Sequence, residues 1–162
     1  MIKNTIIIFT IFLLTSSNYA ENYADRIVIT KSKRIMYVIK NNLVIKEYNI
    51  FLGGNPIGHK EFEGDKKTPE GIYFVDEKIE NSRFVHSLHL SYPNKSDIHK
   101  ASLSNKSPGA NITIHGHPPI RELARYLFSG KDWTDGCIAV SNQSIKNLWK
   151  QVRVNTPVII YP

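Results

Sequence analysis

Between Arg26 and Ile50 the sequence places three β-branched runs in quick succession, and this limits the fold more than any other feature. Arg26-Ile27-Val28-Ile29-Thr30, Ile35-Met36-Tyr37-Val38-Ile39 and Leu43-Val44-Ile45-Lys46-Glu47-Tyr48-Asn49-Ile50 each have strand length and residues suited to a pleated surface. Lys40-Asn41-Asn42 separates the last two, and asparagine tolerates positive φ, so a hairpin turn is expected there. Gly71-Ile72-Tyr73-Phe74-Val75, Ser87-Leu88-His89-Leu90-Ser91, Ile112-Thr113-Ile114-His115 and Pro157-Val158-Ile159-Ile160-Tyr161 continue the pattern. Loops rich in turn formers, Gly53-Gly54-Asn55-Pro56-Ile57-Gly58 and Gly64-Asp65-Lys66-Lys67-Thr68-Pro69-Glu70-Gly71, lie between them. From Tyr92 to Asn111 the chain is polar, and a long loop is expected, of the kind that is often functional.

Helical patterns are few. Pro119 can open a helix whose one face carries Ile120, Leu123, Ala124, Leu127 and Phe128, with Gly130 at its end. Ser141 or Asn142 can cap a second, with Ile145, Leu148, Trp149 and Val152 as its apolar face. The expectation is a mostly β domain with two short helices near its C-terminal end.

The first 20 residues read differently. Lys3 supplies a positive start, residues 6–14 are apolar, and small and polar residues lead to Ala20. This is the anatomy of a signal peptide, with cleavage expected after Ala20. The apolar run is shorter than the roughly 20 residues of a membrane-spanning helix, so no stable membrane insertion is expected after cleavage. No cysteine stands at the cleavage point to carry a lipid. Residues 21–162 then form one domain, large enough for a hydrophobic core without disulfides. The sequence has a formal net charge of +7, which favours anionic partners such as cell-wall polymers. The basic residues form no dense run and no nucleic-acid motif is present, so nucleic acid is not expected as a partner. A monomer is expected.

There is one cysteine, Cys137. In an exported chain a lone thiol has no internal partner and is exposed to oxidation, so it is either buried and inert or retained for its chemistry. His115-Gly116 ends a short strand 22 residues before it. A histidine within hydrogen-bond reach turns a thiol into a nucleophile. Gly136 permits a tight turn, and the Gly136 and Cys137 amides are placed to hold an oxyanion. On spacing alone Cys137 stands closer to inert than to active, because free cysteine is among the most buried residue types and the chain has six histidines. His117 beside His115 lacks clear partners for a metal site, and none is expected. Trp133 and Tyr92 can line a substrate groove or fill a core. Lys66 and Lys67 are more readily read as a solvated loop than as a substrate site.

His115, a gap of 18 residues and then Thr134-Asp135-Gly136-Cys137 resemble the signature of the L,D-transpeptidase catalytic-domain (YkuD-type) family. The loop Gly64-Asp65-Lys66-Lys67-Thr68-Pro69-Glu70-Gly71-Ile72-Tyr73 is similar to the family's Gly-Asp…Thr-Pro-Glu-Gly loop. Ser91-Tyr92-Pro93-Asn94 and Pro108-Gly109 with Ile112-Thr113-Ile114-His115-Gly116 match a bacterial subgroup, so the resemblance covers essentially the whole of residues 21–162. Two positions depart from it: Asp135 stands where many members have histidine, and Ala139 where many have arginine or asparagine. The resemblance implies a β-sandwich-like catalytic domain and peptidoglycan L,D-transpeptidation in the periplasm or at the cell wall. It makes stem peptides the substrate and partner, and calls for no metal or organic cofactor. It implies Cys137 as acyl-carrying nucleophile, His115 as acid and base, and Gly136 in the oxyanion site. Asp135 either orients His115, as a triad carboxylate does, or merely shapes the turn. Gly116, Thr134, Tyr92 and Trp133 are expected at the substrate. Water as acceptor would give an L,D-carboxypeptidase or amidase, and a protein amine would give lipoprotein attachment. A catalytically silent wall-binding module with Cys137 buried is the reading from another class.

Overall fold

In the computed structural model, which describes residues 23–118 and 131–162, the seven expected strands and one further short strand join into one eight-stranded sheet. The strands are β1 (Arg26–Thr30), β2 (Ile35–Lys40), β3 (Leu43–Asn49), β4 (Gly71–Ser82), β5 (Val85–Leu90), β6 (Thr113–His115), β7 (Ile138–Ala139) and β8 (Pro157–Tyr161). Their order across the sheet is β3-β2-β1-β8-β4-β5-β6-β7. β1 and β8 run parallel, as do β6 and β7, and the other neighbours are antiparallel. Asn41 and Asn42 both take positive φ, 49° and 61°, in the β2–β3 turn, the backbone that a tight two-residue hairpin requires.

The strand that bends the sheet is β4. Its first residues pair with β8, and from Val75 it pairs with β5, with register shifts between Val75 and Glu77 and again between Glu80 and Ser82. The curl brings the two outer strands together. Just beyond β3, Phe51 and Ala139 exchange both backbone hydrogen bonds at 2.8 Å. Ile27 and Ile29 on β1, Tyr73 and Val75 on β4, Leu88 and Leu90 on β5 and Ile114 on β6 point into one continuous core. Each such aliphatic side chain, fully buried, contributes about 1.5–3 kcal/mol.

Two helices complete the described residues. α2 (Asn142–Gln151) forms where its apolar face predicts, capped by the Ser141 side chain accepting from Ser144 N, with Ile145 and Leu148 buried. The helix expected from Pro119 lies outside the described residues, as does the expected leader. α1 (Lys95–Leu103) falls in the stretch read as a long loop. It buries only Asp97 and Ala101, so its sequence carries no apolar stripe. Its start is fixed instead by a capping box: Asn94 Oδ1 accepts from Ser96 N and Asp97 N, and Asp97 Oδ2 accepts from Asn94 N. β4 is also longer than expected and β7 was not expected. The outer part of β4 is polar because it forms a projecting hairpin with β5, and a two-residue strand is too short to show alternation. Among the described residues no helix is long and apolar enough to cross a membrane.

Candidate active site

The parallel pairing of β6 with β7 brings the two halves of the candidate site together. Ile114 is level with Ile138 and His115 with Ala139, so Thr113 is level with Cys137. Side chains two apart on a strand share a face, which puts Thr113, His115 and Cys137 on the same side. Thr113 Oγ1 donates to Cys137 Sγ at 3.6 Å, and the half-buried thiol donates to the Asn111 carbonyl at 3.5 Å. A thiolate keeps the first of these bonds and loses the second.

His115 is 2% exposed. Its ring stacks on Phe84 at 4.3 Å and meets Trp133 edge-on at 5.8 Å. Nδ1 lies 2.7 Å from the Gly116 carbonyl oxygen. A carbonyl only accepts, so the proton of the neutral ring sits on Nδ1 and Nε2 keeps a bare lone pair. Burial pushes the His115 pKa down to about 4; the Gly116 bond opposes this, and the nearby His117 and Arg83 charges add to it. His115 is therefore neutral, and a base, through the physiological range.

The turn before Cys137 is closed by Thr134. Its hydroxyl accepts from Gly136 N at 3.1 Å and donates to Cys137 O at 2.7 Å. Since Gly136 N–H is engaged there, the Cys137 amide is the one left for an oxyanion. Gly136 has φ +129°, and a Cβ there would come 2.6 Å from Lys67 O. At Gly53 a Cβ would come 2.0 Å from Lys66 O. The 64–71 loop thus lies with its carbonyls against the backbone of the Cys137 turn, and Thr68 Oγ1 accepts from Gly53 N.

Ion pairs, fully or partly buried, hold these loops, and sequence reading did not single them out. Lys31 donates to Gly58 O, Thr68 O and Glu70 Oε1 at 2.6, 2.9 and 2.8 Å. Lys60 pairs with Asp65 at 2.8 Å. Arg34 grips both oxygens of Asp132, with Nε 2.9 Å and Nη2 2.7 Å from Oδ2. Asp132 Oδ1 also accepts from Leu52 N at 2.8 Å, while Leu52 O accepts from Trp133 N and Thr134 N. Lysine and arginine beside turn residues look like solvated charge in a sequence, and only the fold reveals their partners.

The remaining expected residues fall in different places. Asp135 is exposed, and the described acceptor for His115 Nδ1 is Gly116 O. Tyr92 is 3% exposed, packs on Tyr73 and gives its hydroxyl to Pro108 O, so it belongs to the core rather than to a groove. Gly116 is enclosed by Phe84 O, Asn142 Oδ1 and Ile145, and meets His115 through its carbonyl. Trp133 is half-buried between His115 and His117. Thr113, Asn111 and Phe84 were not singled out from the sequence. Among the described residues no three His, Cys, Asp or Glu side chains are grouped to hold a metal ion.

The curled sheet thus carries His115 at the end of β6 and Cys137 in the turn that leads directly into the neighbouring β7. Residues 24–160 match the model of the YkuD L,D-transpeptidase catalytic domain, and the chain belongs to that family. The helical cell shape determining protein Pgp2 of Campylobacter jejuni has a similar fold: TM-score 0.59, 24% identity, 85% of this chain and 49% of that one covered. Bd1075 of Bdellovibrio bacteriovorus gives 0.58 and 24% over 87% and 51%. An Enterococcus faecium L,D-transpeptidase gives 0.55 and 15% over 85% and 50%. The chain thus spans about half the length of these proteins. No curated protein matches it in sequence.

Proposed function

We propose that this chain is a peptidoglycan L,D-transpeptidase that works through a Cys137 thioester in the periplasm or at the cell wall, after removal of residues 1–20. The observation that carries this reading is the 2.7 Å contact of His115 Nδ1 with Gly116 O, which leaves Nε2 as a base on the face that bears Cys137. His115 Nε2 takes the thiol proton, and sulfur attacks the carbonyl of the third residue of a tetrapeptide stem. The Cys137 amide holds the oxyanion. His115 then gives its proton to the amine of the departing terminal D-alanine, leaving the thioester. The side-chain amine of a diamino acid on a second stem attacks, His115 takes its proton, and that proton returns to Cys137. Trp133 and the Thr134 turn flank the acyl group, and Asp135 shapes the exposed mouth of the turn.

Intact mass after incubation with a carbapenem should show one covalent adduct on the wild type and none on Cys137→Ala. Absence of an adduct on the wild type would favour a silent wall-binding module. Muropeptides of cells expressing the wild type should contain 3-3 cross-links that Cys137→Ala lacks. Loss of tripeptide stems alone would make water the acceptor, and an unchanged profile would overturn the reading.

A further inference from the structure

The β4–β5 hairpin ends in Arg83 and Phe84, and it reaches the candidate site. Phe84 lies against the His115 ring, and its carbonyl accepts from Gly116 N at 3.2 Å. Ser82 Oγ accepts from Phe84 N at 3.0 Å and meets Ser87 Oγ at 2.9 Å, so the tip is held in place. The Arg83 guanidinium sits 4.6 Å from the centre of the Phe84 ring. Arg83 is exposed, and no carboxylate pairs with it among the described residues. The lysines of the 64–71 loop are placed differently: Lys67 Nζ lies near Gly58, and Lys66 runs alongside Gly54.

We infer that Arg83 binds the terminal carboxylate of the acyl donor, and so restricts the enzyme to stems that end at the residue being released. This rests on the acyl-transfer reading above. The amine that leaves takes its proton from His115. In an α-amino acid the carboxylate is one carbon from that amine, so a donor that protonates its leaving amine from His115 brings its carboxylate to the His115 side of the thiol, the side on which Phe84 and Arg83 of the hairpin tip stand. A guanidinium presents two parallel N–H donors to a carboxylate, and seating on an aromatic face limits the freedom it loses on binding.

The test measures the rate at which Cys137 is acylated by a tetrapeptide stem ending in a free carboxylate and by the same peptide ending in a carboxamide. The wild type should prefer the carboxylate by roughly 10- to 100-fold, the range of a hydrogen bond to a charged group. Arg83→Gln should lose that preference through KM, should match the wild type on the carboxamide, and should be alkylated by iodoacetamide at the wild-type rate. Arg83→Lys should recover part of the preference. Equal slowing of Arg83→Gln on both donors would reduce Arg83 to support for His115 and overturn the inference, as would a preference that survives the substitution. A wild type alkylated by iodoacetamide but acylated by neither donor would overturn the acyl-transfer reading, and the inference with it.

Discussion

At the scale of single residues, His115 couples the site to folding. Its pKa falls from the ordinary 6.5 to about 4 on burial, so between these values the unfolded chain binds a proton that the folded chain refuses. The stability associated with neutral His115 is fully present above pH 6.5 and is lost as the pH falls through about 4. The full loss is about 3 kcal/mol. Denaturant titrations of the wild type should show stability declining over that window, and His115→Gln, which has no proton to gain, should flatten the slope. At this scale the family-like motif marked Cys137, His115 and Gly136 as candidates, and the register of β6 and β7 puts Thr113 level with Cys137, two residues from His115. The sequence was not legible for Gly116, whose part is played by a carbonyl that every residue has. Tyr92 misled because an aromatic side chain gives the same signal in a groove and in a core.

At the scale of elements, the site hangs on contacts between loops. Asp132 ties the segment leading to Cys137 both to Arg34, in the β1–β2 turn, and to the Leu52 amide. Asp132→Asn keeps the shape but weakens the charged fork. It should cost about 1–3 kcal/mol in stability and slow carbapenem acylation of Cys137, both read against Arg34→Lys, which keeps the charge without the planar fork. An unchanged acylation rate would mean that the clasp does not position the thiol. Seven strands, the β2–β3 turn and α2 were legible from alternation, asparagine and helical spacing. α1 was not, because it buries almost nothing apolar. Its Asn94…Asp97 cap was the available signal, weaker than usual because aspartate stands where glutamate or glutamine is commoner.

At the scale of the whole molecule, the curled sheet encloses one core that joins its two halves. Ile114, Leu88, Ile27 and Val158 belong to the same cluster although they lie on both sides of the β4 bend. Unfolding should therefore be a single transition, with tryptophan fluorescence and far-ultraviolet circular dichroism coincident in denaturant. Ile114→Ala should shift both probes together, by about 2–5 kcal/mol. Two separate transitions would show that the halves fold independently. The curl was not legible in the sequence, since it depends on β4 changing partners midway. The packing of the 64–71 loop under the Cys137 turn also bears on how such a protein can change over evolutionary time. Lys66 and Lys67 press on Gly53 and Gly136 through main-chain oxygens alone. Among orthologues the charge of the two lysines should be dispensable, with residues that accept the left-handed backbone of Lys66 (φ 56°) favoured there, while the two glycines, with no side-chain chemistry to offer, should tolerate no replacement.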